Sequence, residues 1–281
     1  MSVYFDRKNE LKEKALKHTE KMEEQFENEI QKCVENTLVY GEEANPAPVA
    51  LKRAEGIAAP KVYIDTLDSV SSIFSHHTGK TAVLNFASYK NPGGKFIEGS
   101  SAQEECLCHA SYLYNVLLRM PKYYKWNKDH INKALYLNRA LYTPDITFFS
   151  GTENTDNPSE IVKADVITCA APNISTAERY AGVLGSENLA ALLDRIKFVL
   201  NIAMDNHVDT LILGAFGCGV FGQNATIVAR YFAYALKTYD YHLKNIYFSI
   251  LNRGNNDNYT RFKEGWKWMM SQDWYQRARD E

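Results

Sequence analysis

Two glycine-rich turns, at 93–99 and 214–222, each follow a short apolar run and precede a helical stretch, and this repeated order constrains the fold most. Strand, glycine loop, helix is the building unit of a sheet covered by helices on both faces. It places both turns at the carboxyl ends of strands, where such folds bind their ligands. The strand before the first turn is TAVLNFAS (81–88). Further strand candidates are KVYIDT (61–66), ITFF (146–149), ADVITCAAP (164–172), DTLILGAF (209–216) and NIYFSIL (245–251). Helical stretches near 186–206 and 224–238 separate the later ones. The pattern predicts an α/β sheet rather than a sandwich or a bundle, with both turns facing one cleft.

Ahead of this core, residues 7–36 alternate charge with Leu11, Ala15, Met22, Phe26, Ile30 and Cys33, close to the helical period. A long amphipathic helix is expected there. GEEANPAPVA (41–50) is rich in turn formers, so the α/β core is expected to begin at the strand from residue 61. There is no internal repeat and no low-complexity linker. Residues 1–281 therefore read as one domain, with 1–50 as a helical extension packed on it.

With 281 residues, 45% of them apolar, the chain can bury a full core. A formal charge of −2 argues against a broad basic surface, so general nucleic-acid binding is not expected and any anion must be recognised locally. Cys33, Cys106, Cys108, Cys169 and Cys218 are odd in number and scattered, which predicts free thiols and a reducing compartment. The opening MSVYFDRKNELKEK lacks the apolar core of a signal peptide, and no stretch reaches the roughly 18 apolar residues of a spanning helix. A cytoplasmic protein without membrane contacts is the expectation.

The segment LGAFGCGVFGQNA (213–225) carries Gly214, Gly217, Gly219 and Gly222, which let backbone N–H groups approach an anion closely. Phosphate is the natural ligand of such a loop, and the following helix would add the positive end of its dipole. Read literally, Gly217-x-Gly219-x-x-Gly222 also matches a dinucleotide fingerprint, with Asp240 downstream as the ribose acid. The bland alternative is a set of tight turns.

The stretch NFASYKNPGGKFIEGSSAQEECLCHASYLY (85–114) joins the other glycine turn to a helix start bearing Gln103, Glu104 and Glu105. Adjacent carboxylates at a ligand loop suit glycosidic cleavage, which needs an acid for the leaving oxygen and a negative group beside an oxocarbenium-like centre. Ser101-x-x-Glu104 also fits a capping box, which would give Glu104 a structural role but leave Gln103 and Glu105 unexplained. A helix start lowers a carboxylate pKa, so a general acid here needs burial or nearby phosphates to raise it.

Gly-Gly followed at short range by Gln-Glu-Glu resembles the signature of the poly(ADP-ribose) glycohydrolases. ALYTPDITFF (140–149), ADVITCAAPN (164–173) and GAFGCGVFG (214–222) follow in the order of the bacterial-type branch. The resemblance spans roughly residues 50–250 and is expected to take in the N-terminal helix. It implies a macrodomain-like, three-layer α/β/α fold with a mixed sheet, and hydrolysis of ribose–ribose O-glycosidic bonds without metal or cofactor. It implies Glu105 as the general acid, with Glu104 and Gln103 positioning the distal ribose and the acid. Asn85 would lie near that ribose, and Gly93 and Gly94 would pass close to the substrate. Gly217, Cys218, Gly219, Val220 and Phe221 would hold the diphosphate, with Phe221 packing on ribose or base. The implied partners are ADP-ribose or poly(ADP-ribose) on modified proteins, bound by a monomer.

One departure stands out. Where the family has a third glycine this chain has Lys95, which restricts the backbone and puts a cation beside the ribose–phosphate region. It leaves open a noncatalytic ADP-ribose-binding module, or a hydrolase of mono-ADP-ribosylated conjugates. Among other features, Cys106 and Cys108 stand two apart on a helix, so they point apart and do not chelate one ion. The aromatic run from Tyr112 to Tyr142, including Tyr123, Tyr124 and Trp126, reads as core packing rather than a base-stacking surface. His76 and His77 have no nucleophile motif nearby and read as surface residues.

Overall fold

The computed structural model describes residues 2–41, 44–150, 160–252 and 257–272, with side chains from residue 7 onward. The chain opens with helix α1 (Ser2–Asn36), then the short strand β1 (Leu38–Tyr40), β2 (Lys61–Asp65), α2 (Ser69–His76) and β3 (Thr81–Phe86). Three short helices follow: α3 (Gln103–His109), α4 (Leu113–Leu118) and α5 (Pro121–Asp129). The remainder is β4 (Ala140–Phe149), β5 (Ile161–Cys169), α6 (Ile174–Ala181), α7 (Gly185–Asp205), β6 (Thr210–Leu213), α8 (Ala225–Thr238), β7 (Asn245–Ser249) and α9 (Asn258–Met270).

The strands form one mixed sheet in the order β1-β4-β5-β3-β6-β7-β2. From β5 to β2 neighbouring strands run parallel, whereas β4 is antiparallel to both β5 and β1. Period-two alternation assigns the residues of each central strand to opposite layers. Ala82, Leu84, Leu211 and Leu213 join α7, α8 and α9 on one face, while Val83 and Ile212 join α1 to α5 on the other. These are the three expected layers. The strand ends of β3, β5 and β6 lie side by side, so the segments leaving them share one edge of the sheet.

The apolar stripe read along α1 is the face that packs. Ala15, Met22, Ile30 and Cys33 are buried, and Phe26 packs against Tyr112 and Phe149 at ring distances of 5.8 and 5.2 Å. The helix bends at Phe26, whose φ of −129° leaves the helical region. Residues 1–50 are not only helical, however. Leu38–Tyr40 pairs with Tyr142–Ala140, so the sheet begins earlier than residue 61. Strand β4 is longer than the ITFF segment expected, because Pro144 and Asp145 are absorbed by a register shift between Thr143 and Ile146, with Asp145 at φ 60°. Tyr112, Tyr114, Tyr123 and Tyr124 are buried, as core packing requires. His76 is not a plain surface residue: its ring stacks on Tyr247 at 3.9 Å, and its Nε2 lies 3.1 Å from Asp65. Among the described residues no helix is long and apolar enough to cross a membrane.

Candidate active site

The segment leaving β3 folds back so that α3 begins beside the strand end. Gln103 fixes this return. Its Oε1 accepts the Phe86 N–H at 2.8 Å, and its Nε2 donates to Leu84 O at 2.8 Å and Ser69 Oγ at 3.0 Å. The Gln103 amide thus ties α3 to β3 and α2.

Glu104 and Glu105 are 4% and 5% exposed, so two neighbouring acids are withdrawn from water together. Glu104 Oε2 accepts the Ser88 N–H at 2.7 Å and its Oε1 accepts from Asn85 Nδ2 at 3.3 Å. The helix N-cap is Ala102, without a side-chain cap, so Glu104 closes no capping box. Glu105 Oε1 accepts the Lys95 N–H at 2.8 Å, while its Oε2 is buried without a hydrogen-bond partner. Asn85 also donates to Thr168 Oγ1 at 3.3 Å, and its Oδ1 is likewise buried and unpartnered. One loop therefore presents an unclaimed carboxylate oxygen, with an unclaimed amide oxygen on the adjoining strand.

Burial pushes the Glu104 carboxyl up to about 8 and the charge of Glu105 adds to the rise, against the lowering effect of the Ser88 and Gly93 N–H groups and the Asn85 amide. The lowering expected at a helix start is outweighed without any ligand. With its carboxyl raised to about 8, Glu104 is largely protonated at neutral pH.

Gly94 explains the glycine of the motif. At φ +62° a β-carbon would lie 2.6 Å from Glu105 Oε1 and 2.9 Å from Glu104 Oε2, so both carboxyls close over the bare backbone. Gly93 is buried against Tyr114 and Cys108. Lys95 follows at φ −114°, a conformation open to any residue, so the missing third glycine imposes no backbone strain. Its side chain is exposed.

The second loop leaves β6. Gly217, at φ +76°, is pressed against Ala171 and Gln223, where a β-carbon would lie 2.7 Å from Ala171 Cβ. Within the loop the N–H groups of Phe216, Cys218, Gly222 and Gln223 donate to Gly214, Ala215, Gly219 and Gly217 carbonyls. Those of Gly217, Gly219, Val220 and Phe221 donate to nothing among the described residues. Four unclaimed N–H groups within five residues have the chemistry that suits an anion. Helix α8 contributes less than expected, because Asn224 caps it and its Oδ1 accepts the Thr226 and Ile227 N–H groups. Burial pushes the Cys218 thiol up to about 12, so it is no nucleophile. Phe221 lies 6.0 Å from Tyr136, which stacks on Tyr89 of the first loop at 4.2 Å.

The second loop packs on the end of β3: the rings of Phe86 and Phe216 are 5.7 Å apart. The dinucleotide reading fails on its acid. Asp240 lies beyond the end of α8, faces Arg53 at 3.5 Å and accepts the His242 N–H, away from any strand end. Cys106 and Cys108 diverge, since Cys108 is buried and Cys106 Sγ points to Ser101 O at 3.5 Å.

Several supporting residues were not read from the sequence. The Ser88 N–H holds Glu104 through the backbone and leaves no side-chain signal. The Gln223 amide pairs with that of Asn188 at 2.7 and 3.0 Å and donates to Pro172 O at 2.8 Å, locking the second loop to α7 and to the end of β5. Arg195, only 1% exposed, lies on the face of α7 that carries Leu192, Ile196 and Val199. A charged residue within an apolar helical stripe was the available clue.

A mixed three-layer sheet whose central strands end in a buried carboxyl pair and a cradle of free amides defines a macrodomain-like glycosidase. The family model for the microbial-type PARG catalytic domain matches residues 8–151, just over half of the chain, and the chain belongs to that family. Its fold is that of the poly(ADP-ribose) glycohydrolase from Thermomonospora curvata, with a TM-score of 0.77 at 23% identity over 92% of this chain and 99% of that one. The form of that protein bound to the inhibitor ADP-HPD gives 0.75 at 22% identity, over 91% and 99%. Poly(ADP-ribose) glycohydrolase from Deinococcus radiodurans in complex with ADP-ribose gives 0.73 at 24%, over 85% and 98%. No curated protein matches the chain in sequence.

Proposed function

We propose that the chain hydrolyses the ribose–ribose O-glycosidic bonds of poly(ADP-ribose), with Glu105 as general acid and the Gly217–Phe221 loop as diphosphate cradle. The observation that carries the reading is Glu105 Oε2 in the first turn of α3, buried and without a partner among the described residues, together with four unclaimed N–H groups on the loop that packs on the end of β3. The carboxyl pair supplies the proton. Glu105 delivers it to the departing ribose oxygen as the glycosidic bond breaks, and takes one back from the water that adds to the sugar. Glu104, both of whose oxygens accept protein hydrogen bonds, and Asn85 orient the acid and the distal ribose, and Gln103 positions their helix. Gly93 and Gly94 let the substrate lie against the backbone, and Phe221 packs on ribose or base.

Poly(ADP-ribose) on modified proteins is the substrate expected, met by a monomer, since one chain builds the whole cleft. Five free thiols and the small net charge support a cytoplasmic setting and no general affinity for nucleic acid. Lys95 sustains the second reading, a module that binds ADP-ribose without turnover, because it alone departs from the motif. Free ADP-ribose released from poly(ADP-ribose)-modified protein by the wild type decides between them. Release is the expected result. Binding of ADP-ribose with polymer left intact would favour the module.

A further inference from the structure

Arg195 is the largest of the fully buried side chains, and no carboxylate pairs with it among the described residues. Its Nε donates to Asn138 Oδ1 at 2.7 Å and its NH1 donates to Ala170 O. Arg139, 8% exposed, is the same kind of group: its guanidinium lies 4.0 Å from the centroid of the Trp126 ring, and among the described residues its Nε has no hydrogen-bond partner and no acid pairs with it. Buried charges are ordinarily paired, because a lone one forfeits its hydration without return. Here two cations at neighbouring places in the fold have only neutral partners among the described residues.

Position gives the Arg195 charge a use. Ala170, whose carbonyl it holds, adjoins Ala171, and Ala171 packs on Gly217 at the start of the cradle. One residue and one van der Waals contact separate the guanidinium from the loop, about 10 Å. The cradle itself contains no Lys or Arg between Gly214 and Asn224. The geometry points to Arg195 as the counter-charge of the bound diphosphate, a positioning residue that holds the Ala170 carbonyl and lends the cradle a fixed positive potential without touching the ligand. This rests on the diphosphate reading of the cradle. Its stored positive charge is compensated when the anion arrives, so the low-dielectric surroundings that make the lone cation costly also make it effective.

Asn138 offers a direct test, since Asn138→Asp sets a carboxylate against Arg195 Nε and cancels the charge with almost no change of shape. A unit charge at about 10 Å in an effective dielectric of about 20 is worth roughly tenfold in affinity for one anionic charge. ADP-ribose affinity should therefore fall roughly tenfold in Asn138→Asp, with adenosine affinity and the unfolding midpoint undiminished. Arg195→Gln should lose ADP-ribose affinity in the same way, and Arg195→Lys should recover part of it. ADP-ribose affinity unchanged in a folded Asn138→Asp protein would overturn the proposal, as would parallel losses for ADP-ribose and adenosine, which mark a structural role. A wild type that binds neither compound would sink the diphosphate reading itself, and this inference with it.

Discussion

The two segments that leave the neighbouring strands β3 and β6 present opposite halves of the chain's chemistry. The segment after β3 offers side chains: two buried carboxyls at the start of α3, held by backbone N–H groups of the loop before it. The loop after β6 offers backbone, with four N–H groups unclaimed among the described residues and side chains such as Val220, 88% exposed, left in solvent. Chemistry that moves a proton needs a titratable group in a dry place, whereas holding an anion needs only fixed dipoles. Substitutions in the first loop should act on rate, and those in the second on affinity.

The sharpest way to break that contrast is Gly94→Ala. A methyl group there meets both carboxyls at a positive φ, so turnover should fall about 10²-fold, the scale of a small misplacement of reacting groups, while ADP-ribose affinity measured by calorimetry falls much less, by the loss of the close backbone approach alone. A loss of binding instead would put the carboxyl loop in the anion site. Gly217→Ala should show the mirror image, with affinity down roughly tenfold and turnover at saturation less affected, because the methyl presses on Ala171 and distorts the cradle.

The pH dependence sharpens the comparison further. Glu104 is raised from 4.5 to about 8, so between these values the native state binds more protons than the unfolded chain and stability falls as pH rises. Glu104→Gln removes this slope. Its gain in unfolding midpoint over the wild type should widen from about pH 5 to about pH 8, and an equal gain at both would deny the buried proton. Wild-type turnover should decline as pH passes about 8, where Glu104 gives up its proton. The smallest effect belongs to Val220→Ala, whose loss of an exposed side chain should change ADP-ribose binding by no more than about 0.5 kcal/mol. Val220→Pro, which deletes the N–H, should weaken binding clearly.

The contrast also explains what the sequence discloses. Gln103, Glu104 and Glu105 are visible because the chemistry demands those residue types at that spacing, and Gly93, Gly94, Gly217 and Gly222 because only glycine tolerates the approach. The central strands and the helices α7 and α8 follow from periodicity, as does the buried stripe of α1. Strand β1 is hidden because three residues carry no period, and the ten-residue β4 because Pro144 interrupts it. The left-handed residues Asn132, Lys133, Ala134 and Tyr136, which break the aromatic run after α5, have no local sequence cause. The burial of Glu104 and the support from Ser88, Gln223 and Arg195 depend on distant segments meeting, which no local pattern encodes.

The central claim is that Glu105 protonates the leaving ribose, and hydrolysis by Glu105→Gln of two substrates tests it. On poly(ADP-ribose) the variant should be slower by roughly 10²–10⁴-fold, with ADP-ribose binding retained. On an aryl ADP-ribose whose phenolate leaves without protonation, most of that deficit should vanish. An equal deficit on both substrates would contradict the account and assign Glu105 to binding or charge stabilisation instead.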